Sequence, residues 1–357
     1  MKKCSARFEL RWFKAPAAQR RFIWVVLLIA GLLTACAKTT SPQPQATVTG
    51  ISQAATTGLP ATSEIFLPYS ANQNPPEATI TPAPEPSATV PPTPLLENKI
   101  RFAVIGDYGL AGQPELEVAA LIASWQPDLI ITTGDNNYPN GEASTIDENI
   151  GQYFSDFIFP YQGDFGPGAD QNRFFPSLGN HDWNTTGAGP YLDYFSLPGN
   201  ERYYDFEAGP VHFFAVDSDS REPDGVARIS PQANWLQATM GASTAPWKIV
   251  YFHHAAYSSG LHGSVDWMRW PFKDWGADAV LAGHDHTYER LQVDGLVYFV
   301  NGLGGGPRYD FIQILDTSQM RYNADHGAML VDATDAHITF QFWNRAGQLI
   351  DEYQLVK

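Results

Sequence analysis

Five short blocks gather groups that bind metals or move protons: Gly106-Asp107-Tyr108-Gly109, Gly134-Asp135-Asn136-Asn137-Tyr138, Gly179-Asn180-His181-Asp182, Phe252-His253-His254 and Gly283-His284-Asp285-His286. Any one Gly-Asp pair is an ordinary turn, in which glycine supplies permissive dihedrals and aspartate bonds its own backbone. The sum of the blocks is more specific. His284 and His286 stand two residues apart, so an extended segment would point both imidazoles to one side. The donors are carboxylate, amide, phenol and imidazole with no thiolate, the set used by hydrolytic iron, manganese or zinc centres. A site for two metal ions accounts for all five blocks at once.

The elements that must position these groups are legible as a pattern. Ile100 to Ile105 is a largely apolar run ended by Gly-Asp, a helical pattern follows from Leu116 to Trp125, and Asp128 to Thr133 repeats the strand-then-Gly-Asp theme. Further strands are predicted at Val211–Val216, Lys248–Phe252, Ala279–Ala282, Val297–Val300, Ala328–Val331 and Ile338–Phe342. Strands with helical segments between them indicate an α/β sheet whose ligand groups sit at the carboxyl ends of strands. No internal repeat is visible, and residues 98–357 read as a single domain.

The composition, 44% hydrophobic and 13% aromatic, supplies ample material for a core. Seven Lys/Arg against one Glu give residues 1–35 a charge of +6, so the remainder of a chain with net charge −16 carries −22. Such a body offers no basic face for nucleic acid, and no nucleic-acid partner is expected. The only cysteines are Cys4 and Cys36, which excludes a disulfide framework or a cysteine zinc site in the main body.

The N-terminus reads as an address. Basic residues through Arg21 precede the uncharged apolar run Phe22 to Ala35, the layout of a signal peptide and too short for a spanning helix. Leu33-Thr34-Ala35-Cys36 resembles a bacterial lipobox, which implies lipidation of Cys36, export, and anchoring to a bacterial membrane, cell envelope or cell surface. Residues 36–97, with twelve prolines from Ala37 to Glu97 and no sustained apolar periodicity, are expected to form a disordered tether.

The order of the five blocks resembles the calcineurin-like metallophosphoesterase superfamily and, within it, the purple acid phosphatases, across nearly the whole of residues 98–357. General members of that superfamily carry Asp-x-His in the first block. Here the first block is Asp107-Tyr108-Gly109 and a tyrosine follows Asp135 by three residues, the exchange that marks the purple subgroup. The resemblance implies a four-layer αββα sandwich, an α/β fold with two mixed sheets flanked by helices. It also implies Fe(III) held by Asp107, Tyr138 and His286, a bridging Asp135, and a divalent Fe, Zn or Mn held by Asn180, His253 and His284. His181 and His262 would face the substrate, with His254 a competitor for both histidine roles. The plant enzymes' N-terminal β-sandwich and the mammalian enzymes' cysteine features have no counterpart here, and neither touches the metal ligands.

The activity so implied is binuclear metal-dependent hydrolysis of small phosphate monoesters outside the cytoplasm, by in-line attack of a metal-bound hydroxide. Three ligand charges against a trivalent and a divalent ion leave +2, or +1 with hydroxide, so a phosphate dianion is attracted despite the acidic background, which salt screens beyond about 8 Å. His181 would stabilise the added charge and His262 would protonate the leaving alcohol. A phosphodiesterase or nucleotidase on the same site is the alternative, and a non-catalytic tethered binding module a third reading.

Other motifs fall short. There is no Gly-x-Ser-x-Gly elbow, and Gly302-Leu303-Gly304-Gly305-Gly306 lacks the Lys-Ser/Thr of a phosphate loop, so it reads as a loop beside the metals. Asp217-Ser218-Asp219 lacks the spacing of a calcium loop and reads as a strand-ending turn. Trp183, Tyr257 and Tyr288 lie beside site blocks, with packing the default role.

Overall fold

A computed structural model describes residues 98–357. The signal segment, Cys36 and the tether lie outside the described residues. The strands are β1 (Lys99–Ile105), β2 (Leu129–Thr132), β3 (Phe174–Pro176), β4 (Tyr204–Ala208), β5 (Val211–Ala215), β6 (Trp247–His254), β7 (Ala279–Gly283), β8 (Tyr288–Val293), β9 (Leu296–Asn301), β10 (Ser318–Tyr322), β11 (Gly327–Thr334), β12 (His337–Asn344) and β13 (Leu349–Val356). They form two mixed sheets, ordered β13-β12-β11-β1-β2-β3 and β10-β8-β9-β7-β6-β5-β4.

Period-two alternation builds the layers. Phe102 and Val104 of β1 enter a core shared with Phe213, Ile249, Leu281 and Phe299 of the other sheet, where the Phe102 and Phe213 rings meet edge to face at 5.0 Å. The intervening Ala103 and Ile105 pack instead with Val118, Ala119 and Ile122 of helix Gln113–Trp125. In the second sheet Phe214, Val250, Phe252 and Val280 likewise pack with Leu236 and Met240 of helix Pro231–Ala242. Helix, sheet, sheet and helix are thus stacked as the sandwich requires.

Parallel pairing makes several strands end on the same side. β1, β2 and β3 run parallel, as do β5, β6, β7 and β9. Four of the five blocks therefore follow, or in the case of His253 terminate, the carboxyl end of one of these strands, and the Asn180 block follows β3 by a few residues.

The expected strands are all present, within two or three residues at each end. β3, β4, β8, β10 and β13 were not anticipated. Of these, β3, β4, β10 and β13 are sheet edges, and β10 and β13 alternate between half-buried and exposed without a buried apolar face. β8 did carry a signal: Asp294-Gly295, both at positive φ, close a hairpin onto β9. Helix Pro231–Ala242 was also missed, although Ser230 caps it by accepting from the Ala233 N–H and Pro231 opens it.

Glu115, in the first turn of helix Gln113–Trp125, is fully buried, and neither carboxylate oxygen has a hydrogen-bond partner among the described residues. Burial holds its carboxyl well above the ordinary value of 4.5. A raised folded-state value means that ionisation favours the unfolded chain, so this group costs stability increasingly as pH rises above about 4.5. Glu115→Gln removes that cost. The variant's melting temperature should exceed that of the wild type by a margin that widens with pH, whereas parallel curves would show that Glu115 is not a strained acid.

Candidate metal centre

The backbone itself marks the site. Asp107, Asp135 and His284 all sit at positive φ, between 52° and 71°, a region that disfavours side chains and persists where surroundings enforce it. Each immediately follows a glycine at a strand end. At φ 71° His284 has left β7, so the segment His284-Asp285-His286 is not extended as expected. The turn sends the two imidazoles to different halves of one cluster.

In the first half, Tyr138 Oη stands 3.0 Å from His286 Nε2, 3.1 Å from Asp135 Oδ2 and 3.4 Å from Asp107 Oδ1. Asp107, Asp135 and His286 each offer a ligand atom, and these lie within 4.8 Å of one another, all three residues buried. In the second half, His253 Nε2 is met by Asn180 Oδ1 at 3.0 Å, His284 Nδ1 at 3.1 Å and Asp135 Oδ2 at 3.3 Å. The oxygen Asp135 Oδ2 belongs to both halves. The seven expected ligand residues are therefore brought together, and His253 rather than His254 is the histidine of β6 that reaches them.

This donor set fits cations. Four atoms converge on the second half, where a single proton on one imidazole could satisfy at most two of them, and they include two ring nitrogens facing each other. His253 Nδ1 pairs with the Thr133 carbonyl and His286 Nδ1 with that of Pro307, which leaves each Nε2 free to act as the ligand atom. Although burial opposes charging His253, the carboxylates of Asp135 and Asp107 pull it up to about 10, while burial and the charge of His253 push His284 far down. The cluster calls for positive charge that its own imidazoles supply unevenly.

Both expected substrate-facing histidines stand at the rim. His181 is half-buried, its ring 4.4 Å from that of Tyr138, its Nδ1 2.6 Å from the Pro139 carbonyl and its Nε2 3.9 Å from Asp135. His262 is exposed and stacks on His284 at 4.2 Å. The glycine run indeed lies beside the cluster: a Cβ on Gly302 would stand 2.8 Å from Asp107 Oδ2, and one on Gly306 2.8 Å from the His286 ring. Trp183 and Tyr288 are packing residues, donating to Asp217 at 2.8 Å and Asp351 at 2.9 Å respectively, and Tyr257 packs edge-on against Tyr298.

A calcineurin-like phosphoesterase family model matches residues 100–288, which contain all seven of the expected ligand residues. The chain belongs to that family. It is similar in sequence to Purple acid phosphatase 17 of Arabidopsis thaliana, 27% identical over 225 residues that cover 55% of this chain and 64% of that one. Similarity to Purple acid phosphatase 3 of the same plant is 24% over 292 residues, covering 72% and 78%. The chain thus spans between about two thirds and four fifths of these relatives' lengths. The fold is similar to that of a purple acid phosphatase from yellow lupin (Lupinus luteus) seeds, with a TM-score of 0.59 and 19% identity over 73% of this chain and 54% of the other. Together these findings support a phosphoric ester hydrolase of purple acid phosphatase-like type with a metal centre.

Around these seven side chains lie residues that sequence reasoning left without a role. Asn136 takes the Tyr108 hydroxyl at 3.0 Å and the Thr132 hydroxyl at 2.6 Å, and donates to the Ser177 carbonyl and to Asp182. Asp182 accepts the Gly179 N–H at 2.8 Å, and burial together with the Asp135 charge pushes it up to about 7. Arg221, bound to Asp219, donates to the Asn180 and Trp183 carbonyls, each at 2.9 Å. Asp285, fully buried, accepts from the Ser258 hydroxyl and from the backbone N–H groups of His262 and Gly263, clamping the loop that carries His262. Tyr309 stacks on His286 at 4.1 Å. Asn136, Asp182 and Asp285 lay inside blocks already singled out, but Arg221 and Tyr309 had no local signal.

Proposed function

We propose that this chain is a binuclear, metal-dependent phosphatase of the acid phosphatase type that hydrolyses small phosphate monoesters. The observation that supports this reading best is Asp135 Oδ2, placed 3.1 Å from Tyr138 Oη and 3.3 Å from His253 Nε2, between two separate donor sets. The first set suits Fe(III), because a phenolate and carboxylates are hard donors, and the second suits divalent iron, zinc or manganese. When bound, such a pair supplies an acidified water as nucleophile near or below neutral pH and Lewis acidity toward the phosphoryl group.

The remaining work falls to the chain's own side chains. Asp107, Asp135 and Tyr138 supply the negative charge that holds the cations, and they are buried, where the interaction is weakly screened. His181 Nδ1 pairs with the Pro139 carbonyl, so in its protonated form Nε2–H points its remaining donor toward the cluster, where charge accumulates on phosphoryl oxygens. His262, held through Asp285, hands its proton to the departing alkoxide. No covalent phosphoenzyme is needed.

Residues 1–35 we read as a lipoprotein signal and 36–97 as a tether, placing the 98–357 catalytic domain outside the cytoplasm on lipidated Cys36. The full-length metal-loaded protein should hydrolyse p-nitrophenyl phosphate faster than bis(p-nitrophenyl) phosphate, lose both activities to a chelator, and stay with membranes unless Cys36 is replaced by serine. Preference for the diester would favour the phosphodiesterase reading, and chelator-resistant activity would contradict the metal mechanism.

A further inference from the structure

His254 is a buried imidazole at the end of β6 for which the mechanism above has no use. Its ring meets that of His253 edge-on at 5.0 Å and lies 4.5 Å from that of His284, so it borders the second half of the cluster without entering it. Ser218, in the turn after β5, grips it twice. The His254 backbone N–H donates to Ser218 Oγ at 2.8 Å, and the same oxygen stands 2.9 Å from Nδ1. A hydroxyl that accepts one N–H still has its own proton, and with that proton given to Nδ1 the neutral ring carries its hydrogen on Nε2. Among the described residues Nε2 has no hydrogen-bond partner, and it is not among the polar atoms sealed from solvent. Trp267 fixes the same turn from the other side, its indole donating to the Ser218 carbonyl at 3.1 Å and its ring 6.0 Å from that of His254. The Arg221 guanidinium is occupied by Asp219, Asn180, Trp183 and Asn184.

We propose that His254 is a third substrate-facing histidine, whose Nε2–H donates to an oxygen of a phosphoryl group bound on the His284 side of the centre. Ser218 sets the tautomer that makes Nε2 the donor. This inference rests on the reading that the cluster receives a phosphate ester. His181 lies against Tyr138, and His262 stacks on His284 beside Tyr309, whereas His254 meets both His253 and His284 from the Ser218 turn, so it adds a third direction of approach to the second half of the cluster.

The test is calorimetric titration of inorganic phosphate into full-length, metal-loaded protein, with bound metal quantified in every variant. His254→Ala should weaken phosphate binding about tenfold at unchanged metal content, the effect of losing one hydrogen bond to a charged group. His254→Gln, whose side-chain amide can donate from a similar reach, should recover much of that loss. Ser218→Ala keeps the ring but frees its tautomer, and should weaken phosphate binding by a smaller factor. It also decides the matter should the first variant misfold. Unchanged affinity in His254→Ala or Ser218→Ala, or an equal loss in the alanine and glutamine variants, would overturn the assignment. Phosphate binding that depends on His254 in a protein inactive on every ester would uphold this inference and defeat the phosphatase reading, and an active phosphatase indifferent to His254 would do the reverse.

Discussion

Asp135→Asn is expected to empty or scramble the metal centre and lower phosphatase activity by at least about 10³-fold. The reason is positional. Oδ2 of this residue approaches both Tyr138 Oη and His253 Nε2, as no other atom does among the described residues, and its other oxygen accepts the His181 N–H at 2.8 Å. Asparagine keeps the volume but removes a charge from a buried site whose anionic donors, among the described residues, are two carboxylates and one phenol, against the two cations proposed for it. Its amide would also present a donor, either where two metal-binding groups converge or toward the His181 N–H. Metal analysis of the purified variant checks this directly. Full occupancy with full activity would sink the binuclear assignment, and full occupancy without activity would move Asp135 from metal binding to chemistry.

His262→Ala should leave both metals in place and lower kcat by roughly 10²–10⁴-fold on alkyl phosphates, the usual worth of a general acid. The exposed ring stacks on His284 and belongs to no part of the donor cluster, so its removal costs no ligand. A leaving alkoxide must be protonated as it departs, whereas p-nitrophenolate leaves without help. The same variant should therefore lose no more than about tenfold on p-nitrophenyl phosphate. Equal losses on both substrates would show that His262 shapes the site and does not donate a proton.

The sequence made the chemistry easier to read than the geometry. Gly-Asp after an apolar run announced a strand end with a carboxylate beside it, and Asp107 and Asp135 follow such ends and meet in one cluster. The block pattern assigned His253 and not His254 to the donor set, and the fold gives the two residues different surroundings. β6 ends with His253 facing the donors and His254 turned onto Ser218, a residue in a turn 36 positions away. The His284-Asp285-His286 segment misled, because period-two reasoning assumes extended backbone and His284 is left-handed. Long-range support was illegible for a related reason. Arg221 reaches the Asn180 carbonyl across 41 residues and Asp285 clamps the His262 loop across 23, contacts that no local periodicity encodes. Edge strands such as β13 escaped because half-exposed alternation carries little apolar signal.

The central claim is that Tyr138 completes a site for a ferric ion next to a second metal. Its most direct test is the visible absorption spectrum of the full-length protein and of Tyr138→Phe, with iron quantified in both. The account predicts a purple charge-transfer band in the wild type that disappears in the variant. Oxidised iron present at full occupancy without such a band, or with one that survives the loss of the phenol, would contradict it.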